Sequence, residues 1–162
     1  MKSPAFRYDA DMRRAFSLVE VMITVALVGV LAAIGVSSWR NSQYRTLRAE
    51  IPPNVAAIRQ AQLAYFATWD TFVEDATWYP SDLTGGGGDR QPTDWPASGS
   101  AGGFDTIGWR PQGAVRGRYS LSLGDQTQFQ VDGKCDVDGD GEVASYYATE
   151  DNPGEWDSVT VY

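Results

Sequence analysis

FSLVEVMITVALVGVLAAIGV, residues 16–36, is a run of 21 residues with a single charge, Glu20. Coiled as a helix at about 1.5 Å per residue, it spans roughly 30 Å, the thickness of a bilayer's hydrocarbon core. Arg13 and Arg14 stand before it and Arg40 closes it. A secretory signal would carry small residues for cleavage after the apolar core, and Ala32, Ala33 and Gly35 are available for that. The run is longer than such a core, however, and it holds a carboxylate. A plain membrane anchor explains the length but gives no reason for Glu20. A charge inside a bilayer is costly and marks a functional position. The bland alternative is that Glu20, near the end of the run, snorkels to the headgroups.

The residues around that charge form a more specific pattern. Arg13-Arg14-Ala15-Phe16-Ser17-Leu18-Val19-Glu20 resembles the N-terminal motif of type IV pilins and pseudopilins. The resemblance implies that a prepilin peptidase cuts between Ala15 and Phe16, and that the new Phe16 amine is then methylated. It also implies that Glu20 is the acid used in assembly. A carboxylate in an apolar bundle is tolerable when a cation pairs with it, and cleavage creates that cation at Phe16. Pairing Glu20 of one subunit with the Phe16 amine of its neighbour would favour the correct axial register. The chain departs from the family in having Ala15 where Gly is usual. It also lacks the helix-breaking proline that many major subunits carry near the position of Ser37. Arginines lie on both sides of the run, so a cytoplasmic leader follows from the motif and not from the loop charges.

Composition narrows the remaining choices. The chain has 162 residues, enough for one modest domain and an added element. Its formal net charge is -8; residues 1–15 hold four basic and two acidic side chains, which leaves -10 on the rest. The basic footprint of a nucleic-acid binder is absent. Histidine is missing and Cys135 is the only cysteine. Ser–His–Asp, Cys–His and His-zinc chemistry are therefore excluded within the chain, as is an intrachain disulfide. A glycosidase needs only two carboxylates, but the acids here cluster in a turn with no sign of a cleft. The chain is read as a non-enzyme.

Pro52 and Pro53 predict a kink or brief break near residues 50–53, with proline in the first turn of a second segment. Val55, Ile58, Gln62/Leu63, Phe66 and Trp69 then recur at three- and four-residue steps, giving one face for a core. The stretch from Ala56 to Phe72 also resembles helix ends of pilin-like proteins. Tyr65, Phe66 and Trp69 are read as packing residues rather than an electron path. Pro80, the run Gly85–Gly88, Pro92 and Pro96 predict a long loop over residues 80–103. Alternation around Tyr119–Leu123 and Thr127–Val131 predicts strands, with further ones over Val143–Ala148 and Val159–Tyr162. Short strands with Gly/Asp turns suggest an antiparallel sheet.

Asp136, Asp138 and Asp140 before Gly141 match the opening of a calcium loop, with Glu142 as a further candidate ligand. The closing bidentate acid is absent, because that place holds Tyr147. The competing reading, and the preferred one, is a solvated Asp-Gly turn. No cofactor is required, and calcium is the one candidate.

The expected architecture is α+β: a long N-terminal helix, its first half membrane-spanning, packed on a small antiparallel sheet. The expected divisions are a leader over 1–15, a membrane or filament-core helix over 16–38, its amphipathic continuation over 39–72, and a sheet domain over 73–162. The expected role is a structural filament subunit. A secretion-system pseudopilin and a membrane-tethered calcium-binding module are the alternatives. The implied partners are the prepilin peptidase and methyltransferase, other pilin subunits, and the inner membrane before assembly. The implied locations are the bacterial inner membrane for the precursor, then an extracellular pilus or a periplasmic pseudopilus.

Overall fold

The computed structural model describes residues 16–81, 91–125, 128–139 and 141–158. The chain divides into two compact units, one ending at Trp39 and the other running from Arg40. Helix α1, Leu18–Arg48, begins in the first and ends in the second. Every residue from Phe16 to Val36 is exposed.

The second unit contains α2 (Ile51–Trp69), β1 (Asp75–Tyr79), α3 (Gly102–Thr106), β2 (Arg118–Asp125), β3 (Gln128–Cys135), β4 (Ala144–Thr149) and β5 (Glu155–Trp156). The five strands form one sheet in the order β1-β2-β3-β4-β5, with every neighbouring pair antiparallel. The α+β architecture expected from the sequence is therefore present. Period-two alternation sends Phe129, Val131, Gly133 and Cys135 to the buried face of β3. Tyr119 and Leu121 of β2 and Ala144 and Ala148 of β4 join them.

Helix α2 covers that face with Ile51, Val55, Ile58 and Gln62, all buried. Two glycines let it approach closely. A Cβ at Gly133 would meet Ile51 Cγ2 and Val55 Cγ2 at 2.7 Å each. A Cβ at Gly117, just before β2, would run into Ile51 Cδ1. Polar anchors fix the helix in place. Glu50 Oε1 accepts the backbone N–H groups of Arg116 at 2.7 Å and Gly117 at 3.1 Å. Asn54 Nδ2 donates to the Tyr119 hydroxyl at 2.7 Å, and burial pushes the Tyr119 phenol up. The buried Gln62 amide donates to Val73 O at 2.6 Å and accepts from Val73 N–H at 3.1 Å. The Arg59 guanidinium donates to Thr149 O at 2.6 Å and Glu150 O at 2.5 Å.

Several sequence expectations need correction. Residues 49–50 form a turn between α1 and α2, and the prolines sit in the first turn of α2, as expected. The amphipathic helix stops at Trp69, however, short of Phe72. Asp70 takes a left-handed conformation, φ 53°, which a short polar side chain tolerates, and its N–H closes the helix on Phe66 O at 2.8 Å. The reversal turns Phe72 back to stack on Phe66, with ring centroids 4.4 Å apart, and to touch Phe129 at 4.6 Å. Trp69 is left 66% exposed, so it is no core residue. Strand β1 was not expected at all. Its Thr77-Trp78-Tyr79 run has strand-forming residues but is too short to show a period. The strand expected over Val143–Ala148 runs from Ala144 to Thr149. Thr127, the Gly85–Gly88 run and Val159–Tyr162 lie outside the described residues.

Trp95, in the segment read as a long loop, belongs to a packed aromatic group with residues on either side of that segment. Trp95 meets Phe104 and Trp109 edge-on, each at 5.3 Å between centroids, and Tyr79 and Tyr119 close the group at 6.2 Å. Asp75 Oδ2 accepts Gly103 N–H at 2.7 Å, tying α3 to β1. Asp105 Oδ2 accepts Ala101 N–H at 2.7 Å, and Oδ1 pairs with Arg110 at 3.3 Å. The Ala101 hydrogen bond, with help from Arg110, holds the Asp105 carboxyl below its ordinary value.

Three outcomes follow for the detergent-solubilised chain. Gly133→Val overpacks the α2 seat and lowers unfolding free energy by about 1–3 kcal/mol in denaturant melts. Gly124→Ala, whose Cβ would meet only ordinary contacts beginning at 3.5 Å, stays within about 0.5 kcal/mol. Because Asp105 is lowered, its contribution is present above the ordinary value of 3.8 and is lost as pH falls through the folded-state value. Asp105→Asn therefore lowers the melting temperature at pH 7, and its gap to the parent narrows below about pH 4.

Candidate processing and assembly segment

The first described residues hold most of the motif. Phe16 is 78% exposed, and Ser17 precedes the first turn of α1. Ser17 Oγ accepts Glu20 N–H at 3.2 Å, while Glu20 Oε2 accepts Ser17 N–H at 3.4 Å. This is a reciprocal capping box, in which two backbone donors at a helix start are satisfied by side chains three residues apart. Glu20 thus has a local task besides any intermolecular one: it fixes where α1 begins. The Ser-x-x-Glu spacing was readable in the sequence, but attention to the charge alone passed over it. Ala15 and the rest of the leader lie outside the described residues.

Beyond the box, α1 presents an apolar surface on all sides. Leu18, Met22, Ile23, Val25, Leu31 and Ile34 are each 55–75% exposed. Burying a large aliphatic side chain gains roughly 1.5–3 kcal/mol. Over a dozen such residues, the uncovered surface represents on the order of tens of kcal/mol. The helix is long and apolar enough to cross a membrane, with mean hydropathy 2.5 in its most apolar window. A helix that is hydrophobic all round needs a bilayer or a bundle of other helices around it.

The described part of the acidic turn is organised around Asp136. Asp136 is buried, and its carboxylate is occupied by the backbone: Oδ1 accepts Gly139 N–H at 2.7 Å and Oδ2 accepts Gly141 N–H at 3.1 Å. Gly139 and Gly141 take positive φ, 77° and 93°, which glycine adopts without steric cost. Asp138 is buried and Glu142 is exposed. Asp140 lies outside the described residues. Among the described residues, no three acids, cysteines or histidines form a group able to hold a metal ion. Cys135 is buried at the end of β3.

Comparison with known proteins falls on the same N-terminal segment. Residues 11–36 match the family model described as the prokaryotic N-terminal methylation motif. The chain is 36% identical over 63 residues to the type IV major pilin protein PilA of Myxococcus xanthus (strain DK1622). That match takes in 39% of this chain and 29% of the relative, so the chain spans under a third of the length of the curated protein it matches. No solved structure matches. The chain thus carries the prokaryotic N-terminal methylation motif at the start of a capped helix whose first half is apolar, and over 63 residues it is similar to a type IV major pilin.

Proposed function

We propose that the protein is a structural subunit of a type IV pilus or related filament. In this reading a prepilin peptidase removes residues 1–15, the Phe16 amine is methylated, and subunits polymerise through the apolar half of α1. The observation that carries the reading is the coincidence of the methylation motif with a helix start at Leu18 and an uncovered apolar run behind it. The precursor sits in the inner membrane with its leader cytoplasmic, and the apolar run then passes from lipid into a bundle of its own kind. There Glu20 meets the amine of a neighbouring Phe16, and the pairing offsets the cost of a carboxylate in an apolar core. The working partners are the processing enzyme and other pilin subunits, and no catalytic step belongs to this chain.

Mass spectrometry of filaments sheared from native cells tests this directly. The expected species begins at N-methylated Phe16. A mature N-terminus near Gly35–Ser38, or an uncut leader confined to membranes, would sink the proposal. Glu20→Ala is expected to leave the protein in the membrane fraction while sheared filament falls at least tenfold; an unchanged filament yield speaks for a tethered module that never polymerises. Ser17→Ala removes one half of the capping box, which costs about 1 kcal/mol. The Glu20 amide should then exchange with deuterated solvent about fivefold faster in detergent micelles.

A further inference from the structure

Charge is strongly segregated along the chain. Residues 21–49 contain no acid, and their only charges are Arg40, Arg45 and Arg48. Residues 50–162 hold six basic and eighteen acidic side chains, a net of -12. Arg40 stands four residues beyond Val36, where the apolar run ends. Arg40 and Arg45 are exposed, whereas the Arg48 guanidinium lies 4.8 Å from the centre of the Trp156 ring.

This placement is costly in the proposed topology. Basic residues favour the cytoplasmic side of a membrane segment, and in the proposed topology these three follow it on the opposite side. An acidic domain is also repelled by an anionic bilayer surface. Both costs fall if the arginines meet phosphate at the headgroup level. Arginine suits that task, since its planar fork binds phosphate oxygens through two donors. No lysine occurs between Lys2 and Lys134, so this basic segment is built from arginine alone. The acidic surface of a second copy is the competing partner. It would require a docking geometry that nothing here supplies, whereas the covalent chain itself places Arg40 just past a bilayer-length run.

We infer that Arg40 and Arg45 form a binding site for anionic phospholipid headgroups in the membrane-resident subunit. The inference rests on the membrane reading given under Proposed function. Bound headgroups bridge the bilayer surface to the start of the acidic domain, and release of that lipid accompanies entry into a filament.

The test uses the full chain reconstituted in mixed vesicles of phosphatidylcholine and phosphatidylglycerol, with one lipid brominated at a time. Trp39, the exposed residue preceding Arg40, is the reporter, and its signal is the difference between the parent and Trp39→Phe. The expected result is a three- to tenfold preference for quenching by brominated phosphatidylglycerol, reduced at high salt. The double variant R40Q/R45Q should lose that preference and R40K/R45K should keep most of it. Equal quenching by the two lipids overturns the inference while leaving the membrane reading intact. So does a preference that survives in R40Q/R45Q, including the case where that variant loses only self-association in sedimentation. Absence of quenching by lipids brominated at any depth removes the membrane reading itself, and the inference with it.

Discussion

The contact on which the second unit depends is the close seat of α2 on the sheet at Gly117 and Gly133. Ile51 and Val55 occupy space that any larger residue at those positions would fill. Because the helix lies this near, backbone and side-chain polar groups along its length come within hydrogen-bond range of the sheet and its connections. Glu50, Asn54, Arg59 and Gln62 each use that range, so the helix is held by hydrophobic burial on one face and by four polar anchors spread along it. Gln62 illustrates the economy of the arrangement: a buried amide would be costly alone, but both its donor and its acceptor are matched by one residue, Val73.

The first half of α1 follows the opposite rule. Its capping box and the Thr24 hydroxyl's hydrogen bond to Val21 O are local to the helix, and the apolar side chains from Phe16 to Val36 are exposed. Secondary structure here does not depend on a protein core, because a helix satisfies its own backbone and can exist in lipid as readily as in a bundle. Under the proposed function, that independence lets the helix change surroundings without refolding.

The parts of the architecture that were legible in the sequence are those with a sustained period or an extreme composition. The apolar run, the proline break and the alternating strands around Leu121 and Val131 all qualify. The parts that were missed are set by events between distant residues. Nothing local announces that Asp70 reverses the chain and sends Phe72 back onto Phe66, or that Trp95, from the segment read as loop, meets Phe104 and Trp109. The same holds at the sites. Phe16 and Glu20 were visible as a motif. The acids from Asp136 onward were also visible as a motif, but the hydrogen bonds from Gly139 and Gly141 N–H to the Asp136 carboxylate were not. Spacing reveals which residues are near one another in the chain, but not which backbone groups their side chains meet.

The order of the sheet also bears on how this protein comes to be folded. Each strand pairs with the one next to it in sequence, so three of the four pairings close over short separations. Closures of that kind are entropically cheap and fast, and contact order stays low over the stretch from β2 to β5. The exception is the pairing of β1 with β2, which must wait for the whole intervening segment to be gathered in. The aromatic group around Trp95 lies on that segment and draws its two ends, Tyr79 and Tyr119, together. A cluster that at first seems mere loop packing is thus placed to shorten the search for the slowest pairing.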